Sequence, residues 1–147
     1  MAWQTITASD VLSKLSGAEL SALQTAALGD GQTDPLPGIV TAVVDEVRGY
    51  IAANRNNRLG AAGTVHSKLV SASLSIIRHR LCTRLPVKSL LTEERVKEKE
   101  DAIRLLERTS DGRFAIEDPE TDETSVAKVQ QVSKPTRKTS REKLAGL

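Results

Sequence analysis

The sequence has only one cysteine, one tryptophan, one tyrosine, one phenylalanine and one methionine among its 147 residues. A lone thiol, Cys82, excludes an internal disulfide and any multi-cysteine metal site. With aromatic residues at 2%, the core has to be aliphatic, built from Leu, Ile, Val and Ala. No apolar run approaches the roughly 18 residues of a membrane span, and no signal sequence is visible, so the chain is expected to fold in a reducing cytoplasm without membrane contact. Zinc spacings, nucleotide-binding loops and nucleophile elbows are missing too, which leaves no catalytic residue, metal or cofactor to expect and argues against an enzyme. One further absence is local. Between Val47 and Thr92 there is no Asp or Glu, while Arg48, Arg55, Arg58, Lys68, Arg78, Arg80, Arg84 and Lys88 supply eight positive charges. A section so one-sided is expected to face solvent or something acidic.

What the sequence does contain is helical spacing. Four or five segments show it, with almost no alternating runs, and the fold class read from this is all-α: a small bundle of about five helices with a long central helix, a short extended segment and an extended C-terminal tail. The central helix is expected from Thr64, as its cap, to Pro86, its stop. It carries two apolar stripes rather than one. Val65, Leu69, Ala72 and Ile76 form a stripe expected to serve as core or subunit interface. Val70, Leu74, Ile77, Leu81 and Leu85, at spacings of four, three, four and four, form another on the far side. Such a helix is covered from two directions, by its own bundle or by the bundle and a neighbouring subunit.

The other elements follow from caps and periodicity. Thr7 with Asp10, and Ser16 with Glu19, read as capping boxes of two short helices, the second with Leu15 and Leu20 placed as a hydrophobic staple. Two packing helices explain this pair better than a DNA-reading helix-turn-helix, since no basic recognition helix follows. Gly29 to Gly38 is a loop whose Asp30 and Asp34 lack calcium-loop spacing. A third helix is expected from Pro37 to about Ala53, with Ile39, Val40, Val43, Val44, Val47, Tyr50 and Ile51 inside an arc of about 140°. Residues 54–63 form a loop without the Lys-Ser/Thr pair of a phosphate cradle. Thr92 caps a fifth, highly charged helix, with Leu91 and Val96 in staple positions and Val96, Ala102, Ile103 and Leu106 as its apolar side. Phe114 and Ile116 then share one side of an extended segment.

Few residues invite chemistry. His66 and His79 stand 13 residues apart, about 140° around the wheel, and neither has a carboxylate three or four residues away, so surface or subunit contact fits them better than catalysis. Cys82 lies among basic residues that could lower its pKa, yet a small, partly buried side chain is the better reading. From Pro119 the composition shifts to an acidic patch, a Ser, Thr and Gln stretch, and then Lys134, Arg137, Lys138, Arg141 and Lys143. So polar a segment cannot offset its chain entropy alone. The expected division is a helical domain over 1–118 and an extended tail over 119–147 that docks on a partner.

The runs EVRGYIAANRNNRLG, SASLSIIRHRLCTRLPVKSLLTEERVKEKEDAIRLLE and DGRFAIEDP together resemble the Mu-like family of tailed-phage head-to-tail connector proteins, also called neck, adaptor or head-completion proteins. The similarity covers roughly residues 5 to 118 and rests on ordered features: a short N-terminal helical pair, a helix ending near Gly-Tyr, a long helix with Ile-Ile-Arg-x-Arg-Leu, and a charged helix closed by Gly-Arg-Phe. The resemblance implies a virion protein, assembled in the host cytoplasm, that forms a homo-oligomeric ring in the neck between capsid and tail, usually of twelve copies. It also implies a portal protein above, a tail or stopper protein below, and DNA passing through without sequence-specific contact. Under that reading Arg48, Arg55, Arg58, Arg78, Arg80, Arg84 and Lys88 are candidate contacts to DNA or an acidic partner, and the basic tail residues are candidates for docking on the portal. The alternative from the residues alone is a small, non-sequence-specific nucleic-acid-binding module using the basic section from 48 to 88.

Overall fold

The computed structural model describes residues 2–25, 34–84 and 90–119, with the side chains of 23–25 excepted. Along the chain come strand β1 (Trp3–Thr5), helices α1 (Ala8–Lys14), α2 (Gly17–Thr25) and α3 (Pro35–Ala53), strand β2 (Thr64–His66), and helices α4 (Ser67–Arg84) and α5 (Glu93–Ser110). The fold is mostly helical, with one short two-stranded sheet.

Both N-terminal capping boxes form. The Thr7 hydroxyl accepts from the Asp10 amide at 3.3 Å while the Asp10 carboxylate accepts from the Thr7 amide at 2.8 Å. Leu15 then turns to extended backbone and ends α1. The Glu19 carboxylate accepts from the Ser16 amide at 2.7 Å, and the Ser16 hydroxyl from the Glu19 amide at 3.3 Å, which starts α2. Helix α3 begins two residues before the expected Pro37, because Asp34 accepts from the Leu36 amide at 2.9 Å and Pro35 fits a first turn that has no use for its missing N–H. Val43, Val44, Val47 and Ile51 line its buried face.

The expected start of the central helix needs correction. Thr64 is not its cap. Thr64, Val65 and His66 are extended and pair antiparallel with Trp3, Gln4 and Thr5, Trp3 standing opposite His66. The helix begins only at Ser67, whose amide donates to the Ala2 carbonyl at 2.7 Å; the next amide, that of Lys68, donates to His66 Nδ1 at 3.2 Å. Two donors that a cap would satisfy are thus taken by Ala2, just ahead of β1, and by His66 of β2.

Both stripes of α4 are buried within one subunit. Leu69, Ala72 and Ile76, with Val65 just ahead of the helix, belong to the core, and so do Leu74, Ile77 and Leu81, with Val70 half-buried against them. Helices α3 and α5 pack on α4, and α1 packs on it as well. The second stripe is therefore covered at Leu74, Ile77 and Leu81 by the subunit's own elements. Leu85 and Pro86 lie outside the described residues.

Thr92 caps α5, accepting from the Arg95 amide at 3.4 Å. At the far end Gly112 adopts φ +77, a left-handed conformation that suits glycine, and the Arg113 and Phe114 amides both return to the Arg108 carbonyl, at 2.8 and 3.0 Å. Phe114 and Ile116 then lie half-buried against the core, as their shared side predicted. Beyond Pro119 the expected tail, with Lys134, Arg137, Lys138, Arg141 and Lys143, lies outside the described residues.

Candidate functional site

The described residues offer three groups of chemistry-bearing side chains, and the sequence pattern pointed to only part of each.

The first is a polar network where α2, α4 and α5 meet. Glu19 is 2% exposed. Besides capping its own helix, its carboxylate accepts from Arg95 Nε at 3.0 Å and lies 3.5 Å from Cys82 Sγ. Arg95 also reaches Glu98 at 3.4 Å, and Glu98 pairs with Arg78, which in turn donates to the Lys14 carbonyl at 2.8 Å. Burial alone would raise the Glu19 carboxyl, but the Ser16 amide and hydroxyl, the Arg95 guanidinium and the Cys82 thiol hold it below the usual value. The same surroundings act on Cys82 in the opposite sense. Burial first and the Glu19 carboxylate second push the thiol up to about 11, outweighing Arg95 and Arg78. The arginines near it in sequence do not activate it. A buried thiol held in its protonated form is a poor nucleophile.

The second group surrounds His66, which is completely buried. Its ring meets the Trp3 ring edge to face, centroids 5.5 Å apart. Nε2 lies 2.9 Å from Glu117 Oε2, off the line of a good hydrogen bond, and the other oxygen of Glu117 bonds Lys68 Nζ. Burial lowers the His66 pKa, and Glu117 opposes this only in part. His66 is thus a neutral structural residue joining β2, β1 and the segment after α5. Its carboxylate partner stands 51 positions away in sequence, which is why helical spacing could not find it.

The third group is the basic section. Arg48 points back into its own chain, donating to the carbonyls of Ala61 (2.9 Å), Thr64 (2.7 Å) and Gly60 (3.1 Å). Arg78 is buried in the network above, and Arg80 pairs with Glu46 on α3. Three of the seven candidate contact residues therefore serve the subunit's own structure. Arg55, Arg58 and Arg84 remain exposed, and Lys88 lies outside the described residues. The four-residue stripe of Val65, Leu69, Ala72 and Ile76 is core.

The loop that carries Arg55 and Arg58 is well anchored. The Asn54 side chain accepts from the Asn56 amide at 3.0 Å, and Asn57 Nδ2 donates to the Ile51 carbonyl at 3.3 Å. Arg48 holds its far end, and Gly60 presses so closely on Trp3 that a Cβ there would stand 2.6 Å from the ring. Between the two arginines and this anchor sits Leu59, 39% exposed.

On the outer side of α5, Glu93, Val96, Lys97, Glu100 and Arg104 line a shallow groove. Val96 is half-buried without belonging to the core, although staple spacing had placed it on the apolar side of the helix. Arg104 pairs with Asp101 at 3.5 Å. Among the described residues no group of His, Cys, Asp and Glu is placed to hold a metal ion, and no helix is long and apolar enough to cross a membrane.

A protein-family model described as "Bacteriophage Mu, Gp36" matches residues 6–134 of this chain, past the limit at 118 that the ordered features of the sequence had suggested. Among curated proteins and solved structures nothing matches.

Proposed function

The chain belongs to the bacteriophage Mu Gp36 family and on that footing is a phage structural or morphogenesis protein; from this premise we propose that it is a head-to-tail connector subunit, with a structural and not a catalytic role. Copies of it, twelve in the expected case, form a ring in the neck of the virion beneath the portal protein and above a tail or stopper protein. DNA passes through the centre without being read. The observation that carries this reading is the family match, which takes in almost all of the helical domain and runs into the tail.

The geometry is consistent with that role. Most of the described residues of both stripes of the central helix are buried inside the subunit, so contacts with other chains fall to its outer surfaces and to the tail. Exposed Arg55, Arg58 and Arg84 suit weak contact with phosphate or with acidic protein surface better than base readout, since no aromatic stacking residue accompanies them. The module that binds nucleic acid through the whole 48–88 section is the weaker reading, because Arg48, Arg78 and Arg80 are engaged internally.

A phage with this gene interrupted tests the proposal. Filled heads and complete tails that fail to join, together with the protein's presence in the neck of wild-type particles by labelled electron microscopy, are the expected result. Normal joined particles without the protein would overturn it.

A further inference from the structure

A subunit that closes a ring needs two different surfaces that fit each other, since a head-to-tail contact joins unlike patches. Two surfaces described above have that relation. The loop offers Arg55, Arg58 and the exposed Leu59, with no acidic residue anywhere between Val47 and Thr92. The groove on α5 offers Glu93, Val96 and Glu100, spaced three and four apart and so aligned along one face of the helix. On the loop an apolar side chain accompanies two cations; in the groove an apolar side chain lies between two carboxylates. Among the described residues, neither Leu59 nor Val96 joins its own subunit's core. Two cations of the groove qualify the match. Arg104 is tied to Asp101, while Lys97 stands beside Glu93 and leaves the groove less negative than its carboxylates alone would make it.

The two surfaces cannot meet within one subunit. Asn54, where the loop starts, touches the position of Gly112 at the C-terminal end of α5, a Cβ there standing 3.0 Å from its side-chain nitrogen. Glu100 lies twelve residues and Glu93 nineteen residues back along the helix, or about 18 and 28 Å at 1.5 Å per residue. A patch at one end of α5 and its complement toward the other end is the arrangement that joins one copy to the next.

The geometry points to a contact between copies of this chain in which Leu59 of one subunit seats on Val96 of the next, with Arg55 and Arg58 against Glu93 and Glu100. This rests on the ring-forming connector reading and supplies part of its lateral interface. The loop is held in shape before contact by Arg48, Asn54, Asn57 and the Gly60–Trp3 packing, so docking costs little ordering.

The test is a disulfide trap in assembled particles. Leu59→Cys with Val96→Cys, in phage particles treated with a mild oxidant, is expected to give a ladder of covalent multimers on a non-reducing gel, and either single cysteine none; Cys82 is buried and does not compete. Charge reversal gives an independent measure. Arg55→Glu with Arg58→Glu, or Glu93→Lys with Glu100→Lys, is expected to lower incorporation into particles about tenfold or more, and the four changes together to recover most of it. All four residues are exposed, and unchanged helical signal and melting temperature confirm that the variants fold. If the protein is present in particles but no ladder forms and the combined variant is no better than its parents, this contact is wrong while the connector reading stands. If the arginine changes abolish binding to a random DNA duplex and no ladder forms in particles that contain the protein, the loop's occupant is DNA and the contact is likewise overturned. If wild-type particles lack the protein, the connector reading itself fails.

Discussion

Glu19 shows how much one side chain can carry. It is a helix cap, an acceptor for Arg95 and, after burial, the second influence that keeps Cys82 protonated. Breaking a buried ion pair from one side leaves the other charge uncompensated, which typically costs 3–5 kcal/mol; since Arg95 keeps Glu98, Glu19→Ala is expected at about 3 kcal/mol by denaturant unfolding. Glu19→Gln, which retains an acceptor for the Ser16 amide, is expected to lose less. The pH dependence follows from the same contacts. The folded-state pKa of Glu19 is depressed, so its stabilisation is complete above the unfolded value of 4.5 and is lost as pH falls through the folded one. The wild-type protein should therefore lose stability below about pH 4.5 more steeply than Glu19→Gln. Equal slopes would show that the carboxylate's charge is not what Arg95 recognises. Gly60 is a second single-residue constraint, of space instead of charge. Gly60→Ala drives a methyl into the Trp3 ring and is expected to destabilise by about 1–3 kcal/mol, read as a lowered melting temperature. Trp3→Ala in the same background should remove most of that increment.

At the level of elements, legibility in the sequence followed the range of the interactions. Thr7 with Asp10, Ser16 with Glu19, and the Thr92 cap are local contacts over three residues, and each forms as its spacing implies. The one-sided face of α3 and the double face of α4 are likewise periodic signals, and both are buried. The strands β1 and β2 left no such signal. Three residues are too few to show alternation, and what makes Thr64 to His66 extended is Trp3 to Thr5, some sixty positions away. The basic section was legible in a different way. Its charges were plain, but their direction was not. Arg48 is held by three carbonyl oxygens, which every residue possesses and no sequence pattern marks, and Arg78 by a carbonyl on α1 and a carboxylate on α5. Composition shows that a section is positive; only packing shows which of its cations remain free to meet another molecule.

For the whole molecule, the contacts described hold the chain only as far as Phe114, Ile116 and Glu117. Residues 120–147 offer few apolar side chains to bury, so truncation after Pro119 is expected to leave the helical signal unchanged and the melting temperature within about 3 °C, a change below about 1 kcal/mol for a chain of this size. Loss of cooperative melting would mean that residues 120–147 belong to the folded unit. Glu117 has a mechanical consequence as well. It reaches His66 and Lys68, and Ser67 between them is bonded to Ala2, so the N-terminus and the start of the tail leave from the same end of the subunit. Among the described residues, a pull applied at Pro119 does not act first on the helix packing. It meets the exposed Glu117 pairs, then the half-buried side chains of Ile116 and Phe114, and only then the turn that closes α5. These contacts lie along the chain like the stitches of a seam, so tension applied at Pro119 is expected to part them one by one while the bundle stays whole.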